Sequence, residues 1–301
     1  MNSYNPLVSI IINCYNGEKY LKEALNSVTE QSYENWEIIF WDNQSTDSSA
    51  KIFNEYNNSK FKYFYANTHA TLYAARNEAL KKCNGELIAF LDVDDWWNFD
   101  KIEKQVKIFK DQSISLVYTN STIHNQLNKN KKIFIRKKLP SGNVTSRILS
   151  NYTIGISTVI LRKSFFQENK LFFNPKYNIM GDFDLFVRSS LLTKFYAIDE
   201  PLSNYRLHES NYTNMNTNIW TDEFELWLNE NKEKFEKKFR KPIKKSFVYL
   251  KYLKIKFKIL DKKYKDSFID IIKFPICVEK FKLLFILILI ILKIKTRDDF
   301  K

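Results

Sequence analysis

A chain of 301 residues with 44% hydrophobic and 16% aromatic side chains can bury a sizeable core, which excludes wholesale disorder, and its 5 Gly and 6 Pro exclude a collagen-like repeat. The formal charge of +14 is uneven: residues 231–301 hold 22 basic and 8 acidic side chains, so the first 230 residues are formally neutral and the excess belongs to the tail. Cys14, Cys83 and Cys277, like His69, His124 and His208, are scattered without CxxC or Cys/His spacing, which argues against a disulfide framework or structural zinc and for a reducing compartment.

Residues 7–12 (LVSIII) form a β-branched run of the kind found in strands buried on both faces. Tyr20, Leu21, Ala24, Leu25 and Val28 then recur at helical spacing, and residues 36–41 (WEIIFW) read as a second strand. The alternation continues with a helix over 46–57, a strand over 62–65, a helix over 72–82, a strand over 86–91, a helix over 99–110 and a strand over 115–118. Repeated βα units predict an α/β fold with a mainly parallel sheet flanked by helices. Residues 120–151 are largely polar, with 125–132 a solvated loop or hairpin tip. A strand over 157–161, a helix over 182–192 and a short strand over 195–198 follow. Beyond about residue 218 Lys-rich helical patterns take over, dividing the chain into a body, 1–217, and a helical basic extension, 218–301. The first six residues lack a basic and apolar leader pattern, which predicts a cytoplasmic chain.

In parallel sheets the ligand crevice lies at the carboxyl ends of the strands, and polar clusters stand at those positions. Asn13 to Asn16 follow the first strand, Asp42 to Asp47 the second, and Asp92, Asp94 and Asp95 the fourth. Three carboxylates within four residues repel one another unless a positive charge sits among them, and a hard divalent cation shared with phosphate oxygens is one solution; an acidic turn before the next helix is the plainer one. Ser45, Thr46 and Asp47 suit a helix N-terminus, which leaves Asp42 at the strand end to be explained.

The segments VSIIINCYNGEKYL (8–21), WDNQSTDSS (41–49), ARNEALKKCNGELIAFLDVDDWW (75–97) and GDFDLFVR (181–188) together resemble the family 2 inverting glycosyltransferases of the GT-A fold, over roughly residues 7–210. The resemblance implies a nucleotide-diphospho-sugar donor, most often a UDP-sugar, and a divalent Mn²⁺ or Mg²⁺. Carried onto matching positions, it implies that Tyr15 and Asp42 hold the base, with Asn13 nearby, Arg76 along the nucleotide and Asp92 at the ribose. Asp94, with Asp95 beside it, would bind the metal, and Asp182 would be the catalytic base. Asp184, two residues on, would face elsewhere on a helix. Arg206 and His208 lie in a segment that closes over the diphosphate in relatives and are candidate phosphate and metal contacts. Trp96 and Trp97 either stack on a sugar or pack beneath the site. The chain departs from the family at Asn43 and Gln44, where many relatives have Asp and Gly, and at Gly181, where many have Glu.

Residues 283–292 (LLFILILIIL) are uninterrupted apolar positions between Lys282 and Lys293. As a helix they extend about 15 Å, against a hydrocarbon core of about 30 Å, too short to span a bilayer unaided. They either insert part-way beside anionic head groups, seating the protein peripherally on the inner face of the plasma membrane, or pack in a small core with the lysines solvated. No nucleic-acid motif accompanies the basic tail. The function expected is transfer of a sugar to a saccharide or lipid-linked acceptor in cell-surface glycan synthesis. The rivals are a sugar-phosphate nucleotidyltransferase, which usually has a Gly-rich loop where this chain reads NCYNGEKY, and a non-catalytic binding domain that keeps the fold.

Overall fold

The computed structural model describes residues 4–292 and 294; Lys293, with the remaining terminal residues, lies outside the described residues. It divides into two compact units, the first built from the chain as far as Asn125, Asn130–Ile148 and Tyr152–Leu207. The second takes Gln126–Lys129, Leu149–Asn151 and the chain from His208 on.

The first unit begins with β1 (Val8–Cys14), α1 (Glu18–Thr29), β2 (Trp36–Asp42), α2 (Ser49–Asn54), β3 (Phe61–Tyr65), α3 (Leu72–Leu80) and β4 (Leu87–Phe90). The β-branched runs of β1, β2 and β4 leave almost nothing exposed, because helices cover both faces. On one face Val8, Ile10 and Ile12 pack with Leu21, Leu25 and Val28 of α1 and Phe53 of α2. Each such side chain contributes about 1.5–3 kcal/mol by leaving water. The sheet has no room for a side chain at Gly85, where a Cβ would stand 2.5 Å from the Leu7 carbonyl oxygen.

Next come β5 (Trp96–Trp97), α4 (Lys101–Ile108), β6 (Leu116–Asn125), β7 (Asn130–Ile133), α5 (Thr145–Ser150), β8 (Ile160–Arg162), α6 (Lys163–Glu168), α7 (Gly181–Ser190) and β9 (Phe195–Leu207). The sheet order is β3-β2-β1-β4-β8-β6-β9-β5, with β7 on β6. The sheet is mixed, its first half parallel as expected. The first four strands pair in parallel and so do β6 and β9, but β8 runs antiparallel to β4 and β6, and β5 antiparallel to β9. β9 is 13 residues long, where apolar content marks only its first four. The solvated loop or hairpin tip expected over 125–132 is the end of a hairpin, Thr122 to Asn125 pairing with Asn130 to Ile133.

The second unit contains α8 (Tyr212–Met215), α9 (Thr217–Leu260), α10 (Tyr264–Ile272) and α11 (Val278–Ile291). α9 leaves helical geometry at Phe239 (φ −125°, ψ 38°), three residues before Pro242, which has no N–H to donate and crowds the preceding turn. Ile255 and Ile259 of α9, Ile271 of α10 and Leu283, Ile286 and Leu287 of α11 form its core with Phe274. The apolar run is therefore two-faced. Phe281, Phe285, Ile288, Ile291 and Leu292 are exposed, as are Phe268, Ile269 and Ile272 on α10 and Ile276 between the helices. Among the described residues no helix is long and apolar enough to cross a membrane.

Candidate active site

The loops after β1 and β2 are stapled together at the carboxyl edge of the sheet. Asn16, held in the left-handed region at φ 54°, receives the Thr46 N–H on Oδ1 at 2.8 Å and donates its own N–H to Ser45 Oγ. Glu18 N–H donates to Asp47 Oδ2 and Ser48 N–H to Glu18 Oε2, both at 2.9 Å. Gln44 also adopts positive φ, 68°, which explains why glycine suits this position. Its side chain compensates by donating to the Asn67 carbonyl at 3.0 Å.

Within this frame Asp42 is fully buried, its Oδ1 accepting the Ser45 N–H and its Oδ2 the Tyr63 hydroxyl, each at 2.7 Å. Each of its oxygens keeps a lone pair, so these bonds orient Asp42 and leave it able to accept a further N–H. Asn43 is likewise engaged, donating to the Ala70 carbonyl at 2.8 Å and accepting the Ala70 N–H. Tyr15 stays 54% exposed, its ring edge to face with His69 at 4.5 Å. Asn13, at the end of β1, has both side-chain polar atoms buried and without a partner, as does the indole N–H of Trp41 beside it in register. Buried groups left unpaired in this way mark a place where a ligand or water belongs. Neither His69 nor Trp41 was flagged by sequence; a lone aromatic or imidazole carries no linear signal.

The turn after β4 carries the acidic trio. Asp92 pairs with Arg76, whose guanidinium is buried and lies 5.5 Å from the Tyr73 ring and 5.7 Å from the Phe173 ring. Arg76 therefore positions Asp92, where the sequence placed it along the nucleotide. Burial raises the Asp92 pKa against the pull of Arg76, with Asp94 adding repulsion. Asp95 is buried, and burial and then its two neighbours push it well above the carboxylate range. Its Oδ2 accepts the Ser157 hydroxyl at 2.9 Å and its Oδ1 the Arg206 N–H at 3.0 Å. Asp94 is half-buried, as is Asp92, and its main-chain oxygen accepts Arg206 Nε–H at 2.9 Å.

The packing places the other candidate contacts. Arg206 is 7% exposed, pairs with Glu23 and lies between the rings of Tyr20 and Trp96 at 4.5 and 4.4 Å, so it clamps the acidic turn. Trp97 is buried, donating to the Ser157 carbonyl at 2.7 Å with Lys101 Nζ 4.0 Å over its ring; it packs beneath the site. Trp96 is half-buried against Arg206 and His124. His208 is buried in the second unit with Nδ1 2.9 Å from Ser210 Oγ.

Among the described residues no group of three His, Cys, Asp or Glu side chains is placed to hold a metal ion. Asp95 already has both oxygens in hydrogen bonds. The half-buried Asp94 still suits Mg²⁺ or Mn²⁺, which are commonly held by one or two carboxylates plus substrate phosphates.

Asp182 opens α7. Its Oδ1 accepts the Phe183 N–H at 2.8 Å and the Tyr73 hydroxyl at 3.3 Å. Burial raises its pKa, while Arg76 and the Phe183 N–H oppose the rise. Tyr73 also donates to the Ile179 carbonyl at 2.7 Å. A Cβ at Gly181 would stand 2.4 Å from the Tyr73 ring, so the residue before the carboxylate is small because this ring fills the space. Asp184 turns away and pairs with Arg188 at 2.8 Å. The structure thus gathers Asp92, Arg76, Tyr73 and Asp182 in one contiguous network.

The chain is similar to known proteins in sequence and in fold. The chain is 30% identical over 233 residues to TuaG of Bacillus subtilis, named as a teichuronic acid biosynthesis glycosyltransferase, covering 76% of this chain and 88% of that protein. It is 35% identical over 158 residues to the UDP-Glc:α-D-GlcNAc-diphosphoundecaprenol β-1,3-glucosyltransferase WfgD of Escherichia coli, covering 52% of this chain and 61% of that one. Among solved structures, Staphylococcus aureus TarS 1-349 in complex with UDP-GlcNAc superposes with TM-score 0.57 at 23% identity, over 69% of this chain and 60% of that one. The Pyrobaculum calidifontis mannosyltransferase PcManGT, in complex with GDP-Man and Mn²⁺, superposes with TM-score 0.62 at 16% identity, over 83% and 71%. At such identities the structures establish the fold, GT-A. The model of glycosyl transferase family 2 matches residues 9–192, more than half the chain. With that match, and with a relative aligned along most of its own length, the chain is a glycosyltransferase and belongs to glycosyl transferase family 2.

Proposed function

We propose that the protein transfers one sugar, with inversion, from a nucleotide-diphospho-sugar, a UDP-sugar first among them, to a hydroxyl of a saccharide or lipid-linked acceptor in cell-surface glycan assembly. The observation that carries this reading is the network of Asp182, Tyr73, Arg76 and Asp92 at the same sheet edge as the unpartnered amide of Asn13. WfgD, whose name specifies a UDP-Glc donor and a diphosphoundecaprenol-linked acceptor, supports the choice of substrates.

In this reading Tyr15 and Asn13 receive the base, and Arg76 fixes Asp92 for the ribose. Asp94 would hold Mn²⁺ or Mg²⁺ together with diphosphate oxygens, and the ion would supply neutralising charge for the leaving nucleoside diphosphate. Asp182 accepts the proton of the acceptor hydroxyl as that oxygen bonds to the anomeric carbon and the carbon–phosphate oxygen bond breaks. Its raised pKa makes it a better base than an ordinary carboxylate, and Tyr73 holds its orientation. The exposed apolar side chains of α10 and α11, among lysines such as Lys273 and Lys282, support a peripheral seat on an anionic membrane where lipid-linked acceptors reside.

The test is incubation of the full chain with single UDP-sugars, Mn²⁺ and a lipid-diphosphate-linked sugar, with the product anomer read by NMR. An inverted linkage that Asp182→Asn abolishes supports the reading. A retained anomeric configuration, or undiminished turnover in the variant, contradicts it.

A further inference from the structure

We propose that Ser157 is a positioning residue of the donor site: its hydroxyl presets the turn that carries Asp92, Asp94 and Asp95, and with it the metal-dependent part of nucleotide binding. The inference rests on the donor-site reading above and deepens it.

Ser157 lies in a single 3₁₀ turn, Ile156–Thr158, just ahead of β8, and is 4% exposed. Its bonds converge on the acidic turn. The Oγ accepts the Asp92 main-chain N–H at 3.3 Å, and the Ser157 carbonyl oxygen accepts the Trp97 indole N–H at 2.7 Å. A hydroxyl has a single proton to donate, and here it goes to Asp95 Oδ2 at 2.9 Å. One side chain therefore grips the first and last residues of the acidic trio. The Asp95 N–H closes the same turn on the Asp92 carbonyl at 3.1 Å. Val93 and Asp94 form the span between these fixed points, and Arg206 Nε–H holds the Asp94 carbonyl as well.

Such a grip is only as firm as the backbone that supplies it. The Thr158 N–H donates to the Gly155 carbonyl at 3.0 Å, and the fully buried Gln105 of α4 donates to the carbonyls of Thr158 and of Val117 in β6, each at 3.0 Å. Ser157 is thus tied, through its neighbour, to two elements that bear none of the three carboxylates. Carboxylates this close in sequence repel one another, and a neutral hydroxyl restrains two of them without cancelling the negative charge that a cation needs. A turn already in place spares nucleotide binding the cost of ordering it.

The experiment is calorimetric titration of the full chain with UDP, with and without Mn²⁺, on wild type and Ser157→Ala. The substitution is expected to weaken UDP binding in Mn²⁺ by about tenfold, the effect of one buried hydrogen-bonding group removed from its partners. Without the ion the affinity is expected to stay within about twofold of wild type, because Arg76 still holds the Asp92 carboxylate. An unchanged affinity in Mn²⁺ for the folded variant overturns the assignment, and so does an equal loss with and without the ion, which would mark a purely structural hydroxyl. If circular dichroism shows the alanine variant unfolded, Trp97→Phe, which keeps the ring and cuts only the indole bond to the Ser157 carbonyl, is read by the same criteria. Wild-type binding that ignores Mn²⁺, or no binding by folded wild type, overturns the donor-site reading itself, an outcome distinct from a metal-dependent affinity that survives the substitution.

Discussion

Asp182 is placed where two opposing influences meet: burial raises its pKa, and Arg76 together with the Phe183 N–H lowers it, with burial winning. A general base must be unprotonated, so activity falls as pH drops through its pKa. The acidic limb of kcat/KM is expected above the ordinary carboxylate value of about 3.9, and Asp182→Asn is expected to lower kcat by about 10² to 10⁴ while UDP affinity is kept. A variant with wild-type turnover would contradict the role. Gly181 tests the support beneath that carboxylate. Its Cβ would collide with Tyr73, which both orients Asp182 and anchors to Ile179, so Gly181→Ala is expected to lower kcat by about 10- to 100-fold with KM for donor little changed. Unaltered kcat in the alanine variant would show that Tyr73 does not govern the base. At this scale the sequence is legible for residue type and poor for orientation. Asp42, Asp92, Asp94 and Asp182 are visible as carboxylates after buried segments, but nothing linear shows that Asp42 accepts the Ser45 N–H and the Tyr63 hydroxyl. Nor does it show that Asp95 holds the Arg206 N–H, since that bond joins residues 111 positions apart.

Elements hold the site through a pin at the opposite end of the strands. Glu37, near the start of β2, accepts Ser9 Oγ–H at 2.6 Å and the Asn84 N–H at 2.7 Å, and pairs with Lys62 of β3. One carboxylate thus ties β1, β2, β3 and the turn before β4. Burial alone would raise its pKa, but Lys62, Ser9 and Asn84 outweigh burial and bring it to about 2 from 4.5. The folded state therefore binds the proton more weakly than the unfolded one. The stabilisation is complete above the unfolded value and is lost as pH falls from about 4.5 towards 2, an effect of about 2–3 kcal/mol. Glu37→Gln is expected to lower Tm at pH 7 and to flatten this acid-side loss; identical melting curves for variant and wild type at pH 7 and pH 3 would contradict the pin. The parallel half of the sheet was readable because β1, β2 and β4 are unbroken apolar runs. The mixed half was not: β9 continues through DEPLSNYRL, and β5 consists of two tryptophans whose strand character comes from pairing with Ser203 and Asn204.

Across the whole molecule, charge and exposed apolar surface coincide in the second unit. Its tail holds the entire net charge of +14, and α11 turns Leu283, Ile286 and Leu287 inward while Phe281, Phe285 and Ile288 face solvent. The sequence left membrane seat and packed core as alternatives, yet a helix of this length has two faces. The full chain is expected to sediment with anionic vesicles, less so at high salt, and Phe281→Ser with Phe285→Ser is expected to reduce that binding by about 10²-fold. Equal binding to neutral and anionic vesicles, or none, would contradict a peripheral anionic seat. The central claim, a donor site closed by Asp94, is tested most directly by calorimetric titration of UDP with and without Mn²⁺, on wild type and Asp94→Asn. Mn²⁺-dependent binding, weakened about tenfold or more by the substitution, is the predicted result. Binding that ignores both the ion and the substitution, or no binding by folded protein, would contradict it.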